Sequence, residues 1–319
     1  MQKFDLLTIG DCSIDLFMKV PDRADGITQV GTNGIQRMCF NHGSKIMIEG
    51  FQTSISGNSI NVAVGAKMLG LSVAVYSETG DDANAEKIEK KLKQEGIDTK
   101  FLIKNKNTET ALHAVIVFAG ERTIFSYHGK RDYKIRNWGK PKFIYYTSLG
   151  QGFETFQKEL ANYIKKNSDV GLIFNPGTFH MAKGVEALKD ILEVCDILIL
   201  NKEEAVRLTD APREDEMVDL HVKLRKFGPK LTAITDGDGG ATAYDGKILF
   251  KQEIYSDKRP IVDKTGAGDA FSAGFVAALI NGKKLDEALK WGAIDSGSQI
   301  KVVGPIDGLL TKEQLEQIL

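Results

Sequence analysis

Short apolar runs alternate with amphipathic segments along most of the chain. Buried strands are predicted for the apolar runs 4–9, 71–77, 143–148, 170–174, 196–200 and 231–235. Helices are predicted for the segments 57–69, 82–95, 154–166, 185–194, 203–208, 218–227, 285–299 and 311–319. Because strands that alternate with helices favour a parallel sheet covered on both faces, the pattern predicts an α/β fold with a central, mainly parallel sheet.

Two insertions interrupt this alternation. The first, at about 13–50, begins with an extended piece and continues through a polar stretch, rich in Gly and Asn, that no pattern assigns. The second, at about 110–130, contains the extended runs 110–118 and 122–127 on either side of a short turn, which is a hairpin signal. Since long loops in compact domains are often lids, we interpret both insertions as one discontinuous β lid on a single domain spanning 1–319.

The composition is that of an ordinary soluble globular protein. Hydrophobic residues make up 42% of the 319 residues, charged residues make up 27%, and the formal net charge is −1. This balance does not indicate a general nucleic-acid binder or membrane binder. The three cysteines are far apart and lack metal-site spacing, so we expect reduced thiols in a cytoplasmic protein.

A glycine-rich turn at 263–271 organises the candidate chemistry. Ile261 and Val262 before the turn are β-branched and predict the end of a strand. The small apolar residues at 270–280 predict a buried helix after it. The start of such a helix carries unpaired N–H donors and the positive end of the helix dipole, which together form an anion site.

An acidic residue lies at this anion site. Asp269 comes directly after Gly266, Ala267 and Gly268 and falls in the first turn of the predicted helix. A carboxylate beside a phosphate is electrostatically costly, so a functional interpretation needs a task for it. Accepting the proton of a hydroxyl that attacks phosphorus is such a task. The alternative is a plain strand–turn–helix connector with an acidic residue at the start of the helix.

The sequence of this turn, DKTGAGDAF, resembles the signature DTTGAGDAF of the ribokinase-like (PfkB) carbohydrate kinases, with Lys264 in place of one Thr. Further stretches resemble that family's other signatures in the family's order, so the resemblance covers essentially the whole chain. It implies a ribokinase-like three-layer α/β/α fold with a small β-sheet lid. It also implies transfer of the γ-phosphoryl group of ATP to a sugar hydroxyl, with Asp269 as general base and the amides of Gly266, Ala267 and Gly268 holding the developing charge.

Two stretches of this sequence match the family's signatures for magnesium and nucleotide binding. Asn201 and Glu204 match the signature N-x-x-E, which implies that Glu204 positions Mg²⁺ through water. Alone, that pair predicts only a helix N-cap. The glycine-rich stretch at 234–241 resembles T-x-G-x-x-G, and alone it predicts a loop that leads into a hairpin. The resemblance assigns these residues to nucleotide binding: Asn201, Thr235, Gly237, Gly240, Thr265 and Gly268.

The sugar side of the family is matched by three residues. Gly57 and Asn61 fit the signature Gly-Gly-x-x-x-Asn-x-Ala, although Ser56 replaces its first glycine. Asp15 fits the Asp that binds two substrate hydroxyls just beyond the first strand. A carboxylate can accept two hydrogen bonds from neighbouring hydroxyls, and an ordinary solvated Asp at a strand edge is the competing interpretation.

The resemblance implies ATP and Mg²⁺ as cofactors and allows activation by K⁺. Many relatives bind a monovalent cation through the Asp that opens the signature and through nearby backbone carbonyls, and Asp263 is that residue here. Lys264 departs from the usual Thr, and its ammonium either replaces part of such an ion or points to solvent. Relatives often pair their lids, and exposed sheet edges need covering, so we expect a homodimer through the lid.

The acceptor is the least determined feature. Fructose is favoured and ribose comes next, while a 2-keto-3-deoxy sugar acid, a phosphosugar and a nucleoside remain alternatives. His113 and His128 fall in the lid hairpin, where a structural histidine is the simpler interpretation of each. A non-catalytic regulator that binds nucleotide or sugar is a different class of function, and a nucleotide-dependent dehydrogenase is another. The P-loop pattern GxxxxGK[ST] is absent from the sequence, which excludes a P-loop kinase.

Overall fold

The computed structural model describes residues 4–21, 27–32, 35–118, 121–212 and 215–319, and a large sheet lies at its centre. From one edge of this sheet to the other, its strands are β15 (Leu249–Gln252), β14 (Ala241–Tyr244), β13 (Leu231–Thr235), β12 (Ile197–Asn201), β11 (Gly171–Phe174), β10 (Phe143–Tyr146), β1 (Leu6–Ile9), β6 (Val73–Gly80) and β7 (Asp98–Asn105). The strands from β13 to β7 pair in parallel, and β14 and β15 add an antiparallel hairpin. The prediction of a central, mainly parallel sheet is confirmed.

Helices cover both faces of the sheet and make the first and third layers. In chain order they are α1 (Asn58–Met68), α2 (Ala83–Gln94), α3 (Glu154–Lys166), α4 (Thr178–Leu192), α5 (Lys202–Thr209), α6 (Met217–Arg225), α7 (Ala267–Ile280), α8 (Leu285–Gln299) and α9 (Lys312–Ile318). The apolar residues of α1, α2, α7, α8 and α9 pack into one core, and those of α3 to α6 pack into another. Side chains alternate between the two cores along a strand, so that Leu6 faces the first and Leu7 the second. The three-layer α/β/α prediction is confirmed.

A smaller, four-stranded sheet is separate from the large one. Its strands, side by side, are β5 (Gly50–Ser56), β2 (Ser13–Lys19), β8 (Ala111–Phe118) and β9 (Glu121–Tyr127). A separate hairpin, β3 (Ile27–Thr32) and β4 (Ile35–Phe40), lies within the first insertion. The predicted small β-sheet is therefore present. It takes strands from both insertions and also β5, which extends beyond the predicted end of the first insertion at about 50. Positions 22–26, 33–34 and 119–120 of those insertions lie outside the described residues.

One local prediction was wrong. Ile261 and Val262 do not end a strand, because the chain from 253 to 266 forms neither helix nor strand. Their side chains are 52% and 53% exposed, and the Val262 amide donates to the carbonyl of Ile300 at the end of α8. The chain thus crosses from β15 to α7 along the last turn of α8. None of the described helices combines the length and the apolar character that a membrane span requires.

Candidate active site

The glycine turn opens α7 in the way the sequence predicts. Gly266 has φ 77°, and a Cβ there would clash with the carbonyl of Pro305, so only glycine fits. Apart from its chain neighbours and its own helix, no part of the described chain lies within 4 Å of the position that a Cβ would take on Gly268, and this residue lines a cleft. The start of α7 therefore has the turn geometry on which the expected anion site depends.

Asp269 lies in the first turn of α7 and is half-buried. Burial of the carboxyl group raises its pKa to about 7, and the negative charge of Glu204 acts in the same direction. A hydrogen bond from Asn61 opposes this shift. A carboxyl group whose pKa lies near neutrality can both accept and release a proton at physiological pH, as general-base catalysis requires.

Asn61 joins the predicted sugar side to Asp269. It lies in the second turn of α1, whose N-cap, Gly57, has φ 116° and leaves no room for a Cβ beside the carbonyl of Asp11. The Asn61 Nδ2 donates to Asp269 Oδ2 at 2.7 Å, across 208 residues of sequence. The buried Asn61 Oδ1 finds no hydrogen-bond partner in the described part of the chain, which is unusual for a buried polar atom.

Asp15 is buried on β2 at the base of the lid. Its Oδ1 accepts a hydrogen bond from Ser13 Oγ at 3.2 Å and lies 3.0 Å from Nδ1 of His113, which is opposite it on β8. The other ring nitrogen of His113, Nε2, is buried and unpartnered among the described residues. The structure thus places His113 beside the predicted sugar carboxylate, whereas sequence patterns alone favoured a structural histidine.

Asp11 and Tyr133 form a second polar pair that sequence reasoning did not assign to the site. Asp11 lies just beyond the end of β1, and the Tyr133 hydroxyl donates to its Oδ1. Burial raises the pKa of Asp11 to about 6, although the bond from Tyr133 opposes the shift. The buried Asp11 Oδ2 has no hydrogen-bond partner among the residues described, and His128 Nδ1 lies 3.6 Å from it. Tyr133 lies in an irregular segment without periodicity, so no local sequence signal identifies it.

A single cleft gathers most of the predicted nucleotide residues. Thr235, Gly237, Gly240 and Gly268 all line it. Its remaining wall includes Lys264, Ala267 and Phe271 of the glycine turn. It also includes residues that no motif indicated, among them Tyr255, Ala293, Ser296, Gly297 and Ile300. Small residues on α8 therefore make room between that helix and the loop after β13. Thr265 is directed elsewhere, because its hydroxyl donates to Asp263 Oδ1 at 2.7 Å.

Asn201 and Glu204 lie in an adjoining cleft with Lys202 and Asp236. Asn201 Oδ1 accepts from the Glu204 amide at 2.8 Å, and Glu204 Oε2 accepts from the Asn201 amide at 2.9 Å, so the N-cap interpretation is correct as well. Burial raises the pKa of Glu204. Lys202 lies 3.2 Å from Asp236 and compensates part of the negative charge beside the glycine loop.

The donor set at this cleft fits a hydrated divalent cation. Glu204 raises the pKa of Asp269, so the two carboxyl groups repel each other when both are ionised, and a bound cation would relieve that repulsion. Within the described ranges, no group of three or more His, Cys, Asp or Glu side chains could hold a metal ion alone. Such an ion would therefore take most of its ligands from water and phosphate, as Mg²⁺ commonly does.

The chain resembles known kinases over nearly its full length. Residues 4–311 match the family described as "pfkB family carbohydrate kinase". The chain is 25% identical to an ATP-dependent 6-phosphofructokinase of Thermoanaerobacterium thermosaccharolyticum, over 96% of this chain and 90% of that protein, and 25% identical to a ribokinase of Bacillus subtilis, over 99% of each. The solved structure of Arabidopsis thaliana ribokinase complexed with ribose and ATP has the same fold, with a TM-score of 0.82 at 20% identity over 99% of each chain. The chain therefore belongs to the pfkB family of carbohydrate kinases.

Proposed function

We propose that this protein transfers the γ-phosphoryl group of ATP to a hydroxyl of a small, uncharged sugar, with fructose favoured and ribose next. One observation carries the proposal: Asp269, whose pKa is raised to about 7, lies at the anion-binding start of α7 and is hydrogen-bonded to Asn61 of the sugar side. The phosphate site and the acceptor site thus meet at a single proton-accepting group.

Asp269 is the general base of the proposed reaction. It takes the proton of the acceptor hydroxyl as that oxygen attacks the γ-phosphorus, and the Asn61 amide holds its carboxylate in place through the 2.7 Å bond. The amides of Gly266, Ala267 and Gly268 stabilise the charge that develops on the transferred group. Each preorganised donor of this kind contributes on the order of 3–4 kcal/mol.

Glu204 and Asn201 would hold Mg²⁺ through water beside the phosphates, with Thr235, Gly237 and Gly240 along the nucleotide. When bound, the ion neutralises phosphate charge. Lys202 offsets the negative charge of Asp236, which lines the same cleft. Because Glu204 is capped onto the Asn201 amide, its carboxylate has a defined direction toward the cleft.

The acceptor side favours an uncharged sugar. Asp11 and Asp15 lie next to the site, and an anionic phosphosugar or sugar acid would be repelled by them. Arg131 donates to the carbonyl oxygens of Glu78 and Glu109 and to Thr108, so its guanidinium is held in a structural role. Asp15, Asn61 and the amide of Gly57 are the proposed ligands of the sugar hydroxyls.

A coupled assay of ADP release tests the proposal. MgATP is supplied with fructose, ribose, fructose 6-phosphate, 2-keto-3-deoxygluconate and adenosine in turn, and Asp269→Asn is compared with the exposed control Asp190→Asn. We expect turnover on a neutral sugar, lost in Asp269→Asn and retained in Asp190→Asn. Turnover that survives in Asp269→Asn would refute the role of that residue. Nucleotide binding without turnover on any acceptor would favour the non-catalytic regulator.

We also propose that two copies pair through the lid. The edge strands β5 and β9 carry exposed apolar side chains, with Phe51 73% and Phe125 56% exposed, and Met47 nearby is 70% exposed. Apolar patches of this kind on a sheet with open edges mark interaction surfaces. Analytical ultracentrifugation should show a dimer that Phe51→Ser with Phe125→Ser converts to a monomer. A wild-type monomer would refute the pairing.

A further inference from the structure

An ion pair connects the lid to the glycine turn. Arg122 lies near the start of β9, the edge strand of the lid, opposite Val117 on β8. Its guanidinium Nη1 lies 2.6 Å from Oδ1 of Asp263, across 141 residues of sequence. Asp263 opens the turn that holds the proposed catalytic amides, so a lid residue acts directly on the phosphate side of the site.

Asp263 organises the entry to that turn. Its Oδ1 also accepts hydrogen bonds from the amide of Thr265 at 2.9 Å and from the Thr265 hydroxyl at 2.7 Å. Its Oδ2 accepts from the amide of Gly304 at 3.1 Å. The side chain is only 9% exposed, and a carboxylate withdrawn from water in this way needs a compensating cation.

The surroundings of Asp263 do not suit a bound monovalent cation. Both carboxylate oxygens already accept hydrogen bonds, and the guanidinium of Arg122 provides the opposite charge. The carbonyl oxygens of Thr265 and Gly304, which border the same turn, both accept from the Nε2 of the buried Gln299. A potassium ion would have to displace these protein donors to obtain its oxygen ligands.

Lys264, the residue that departs from the family signature, does not take this role. Its side chain is exposed and borders both the nucleotide cleft and the groove between lid and turn. The direct ion pair to Asp263 comes from Arg122.

We propose that Arg122 is a lid-borne positioning residue that replaces a monovalent cation at Asp263. By neutralising Asp263, the guanidinium fixes the turn at Thr265 and therefore the direction of the amides at Gly266 to Gly268. Because Arg122 belongs to the lid, the anion site is complete only when the lid is closed over the sugar. The inference rests on the proposed kinase function, and it makes turnover independent of K⁺.

An incidental surface contact is the alternative. The Arg122 side chain is 31% exposed, and exposed ion pairs contribute little to stability. An incidental pair and a positioning pair differ in the effect of removing the guanidinium. If the pair is incidental, neither the catalytic constant nor the response to cations changes.

Steady-state kinetics with the preferred sugar distinguish the two. Wild type, Arg122→Met, Arg122→Lys and the control Arg37→Met, a change on the exposed surface of β4, are assayed in potassium chloride and in tetramethylammonium chloride at equal ionic strength. We expect wild type and Arg37→Met to have the same kcat in both salts. We expect Arg122→Met to lose on the order of tenfold or more in kcat, with a smaller change in the KM for the sugar, because the reacting groups are misplaced. Arg122→Lys should keep most of the activity, since a single nitrogen makes the contact.

A binding measurement keeps this test separate from that of the kinase reaction. Thermal unfolding of the proteins without substrate is monitored in the same two salts. Potassium should raise the Tm of Arg122→Met relative to tetramethylammonium, because the carboxylate of Asp263 is then unpaired, and it should leave the Tm of wild type unchanged. The inference is overturned if potassium activates or stabilises the wild type, or if Arg122→Met equals the wild type in kcat and in Tm response. A protein inactive on every acceptor would refute the proposed function, while the Tm comparison would still decide the role of Arg122.

Discussion

Replacing Asp269 by Asn should stabilise the protein at neutral pH while it abolishes catalysis. Burial raises the pKa of Asp269 from 3.8 to about 7, so the ionised form that the proposed mechanism needs is disfavoured in the folded state. The Asp269→Asn side chain has nearly the same shape and can still accept the bond from Asn61. The variant therefore removes the cost of the buried charge and keeps the contact.

The raised pKa fixes the sign and the pH window of this effect. Below about pH 4 the carboxyl group is protonated in both the folded and the unfolded state, and it costs nothing. As the pH rises from about 4 to about 7, only the unfolded state loses the proton, and the folded state is progressively destabilised. The shift is roughly three units, or about 4 kcal/mol as an upper limit. Since the residue is only half-buried, screening by solvent reduces the cost, and we expect about 2 kcal/mol.

Urea denaturation of the two proteins between pH 5 and pH 8 measures this cost. The free energy of unfolding of Asp269→Asn, minus that of the wild type, should increase with pH and level off above about pH 7. Titrating groups that do not interact with Asp269 contribute equally to both proteins and cancel in the difference. The exposed control Asp190→Asn should match the wild type throughout. A difference that does not depend on pH would refute the raised pKa, and with it the reason for choosing Asp269 as the base.

Three further predictions concern the same group of residues. The change Glu204→Gln removes a negative charge and should lower the pKa of Asp269. The rise of kcat/KM with pH, which we expect near pH 7, should then occur at lower pH. An unchanged pH profile would argue against an electrostatic effect of Glu204 on Asp269. Asn61→Leu removes the bond that lowers this pKa, and the same profile should move to higher pH, in contrast to the change Asn137→Leu at an exposed position. Gly266→Ala combines a strained φ of 77° with a clash against Pro305 and should cost about 1–3 kcal/mol of stability in urea denaturation and most of the activity. Gly282→Ala, at a φ of 79° in open space, should cost less and leave activity intact.

The regular elements can be predicted from local sequence where amphipathic periodicity and clear ends coincide. α3 and α8 begin and end at the predicted residues, 154–166 and 285–299. The prediction missed β7, an edge strand whose side chains are mostly half-buried and whose apolar run, from Phe101 to Ile103, is short. It also began α4 too late, because Gly184, with φ 75°, interrupts the helix where the predicted segment starts.

The failed strand at Ile261 and Val262 has a different physical cause. Both residues have high β propensity, but they leave the sheet after β15, and the backbone of Val262 finds its partner at the carbonyl of Ile300. Propensity describes how well a side chain suits a pleated surface, and it carries no information on whether a neighbouring strand is present. Tertiary contacts with α8 decide the conformation here.

The two halves of the candidate site differ in how far sequence alone could predict them. The phosphate side is a turn continuous with one helix, so its residues are neighbours in sequence and form a recognisable motif. The acceptor side joins residues that are distant along the chain: Asp11 and Tyr133 are separated by 122 residues, and Ser13 and His113 by 100. Such contacts depend on how the lid packs on the sheet, and no local pattern encodes them. The type of reaction, phosphoryl transfer, can therefore be predicted from this sequence. The choice of acceptor depends on tertiary structure and has to be measured.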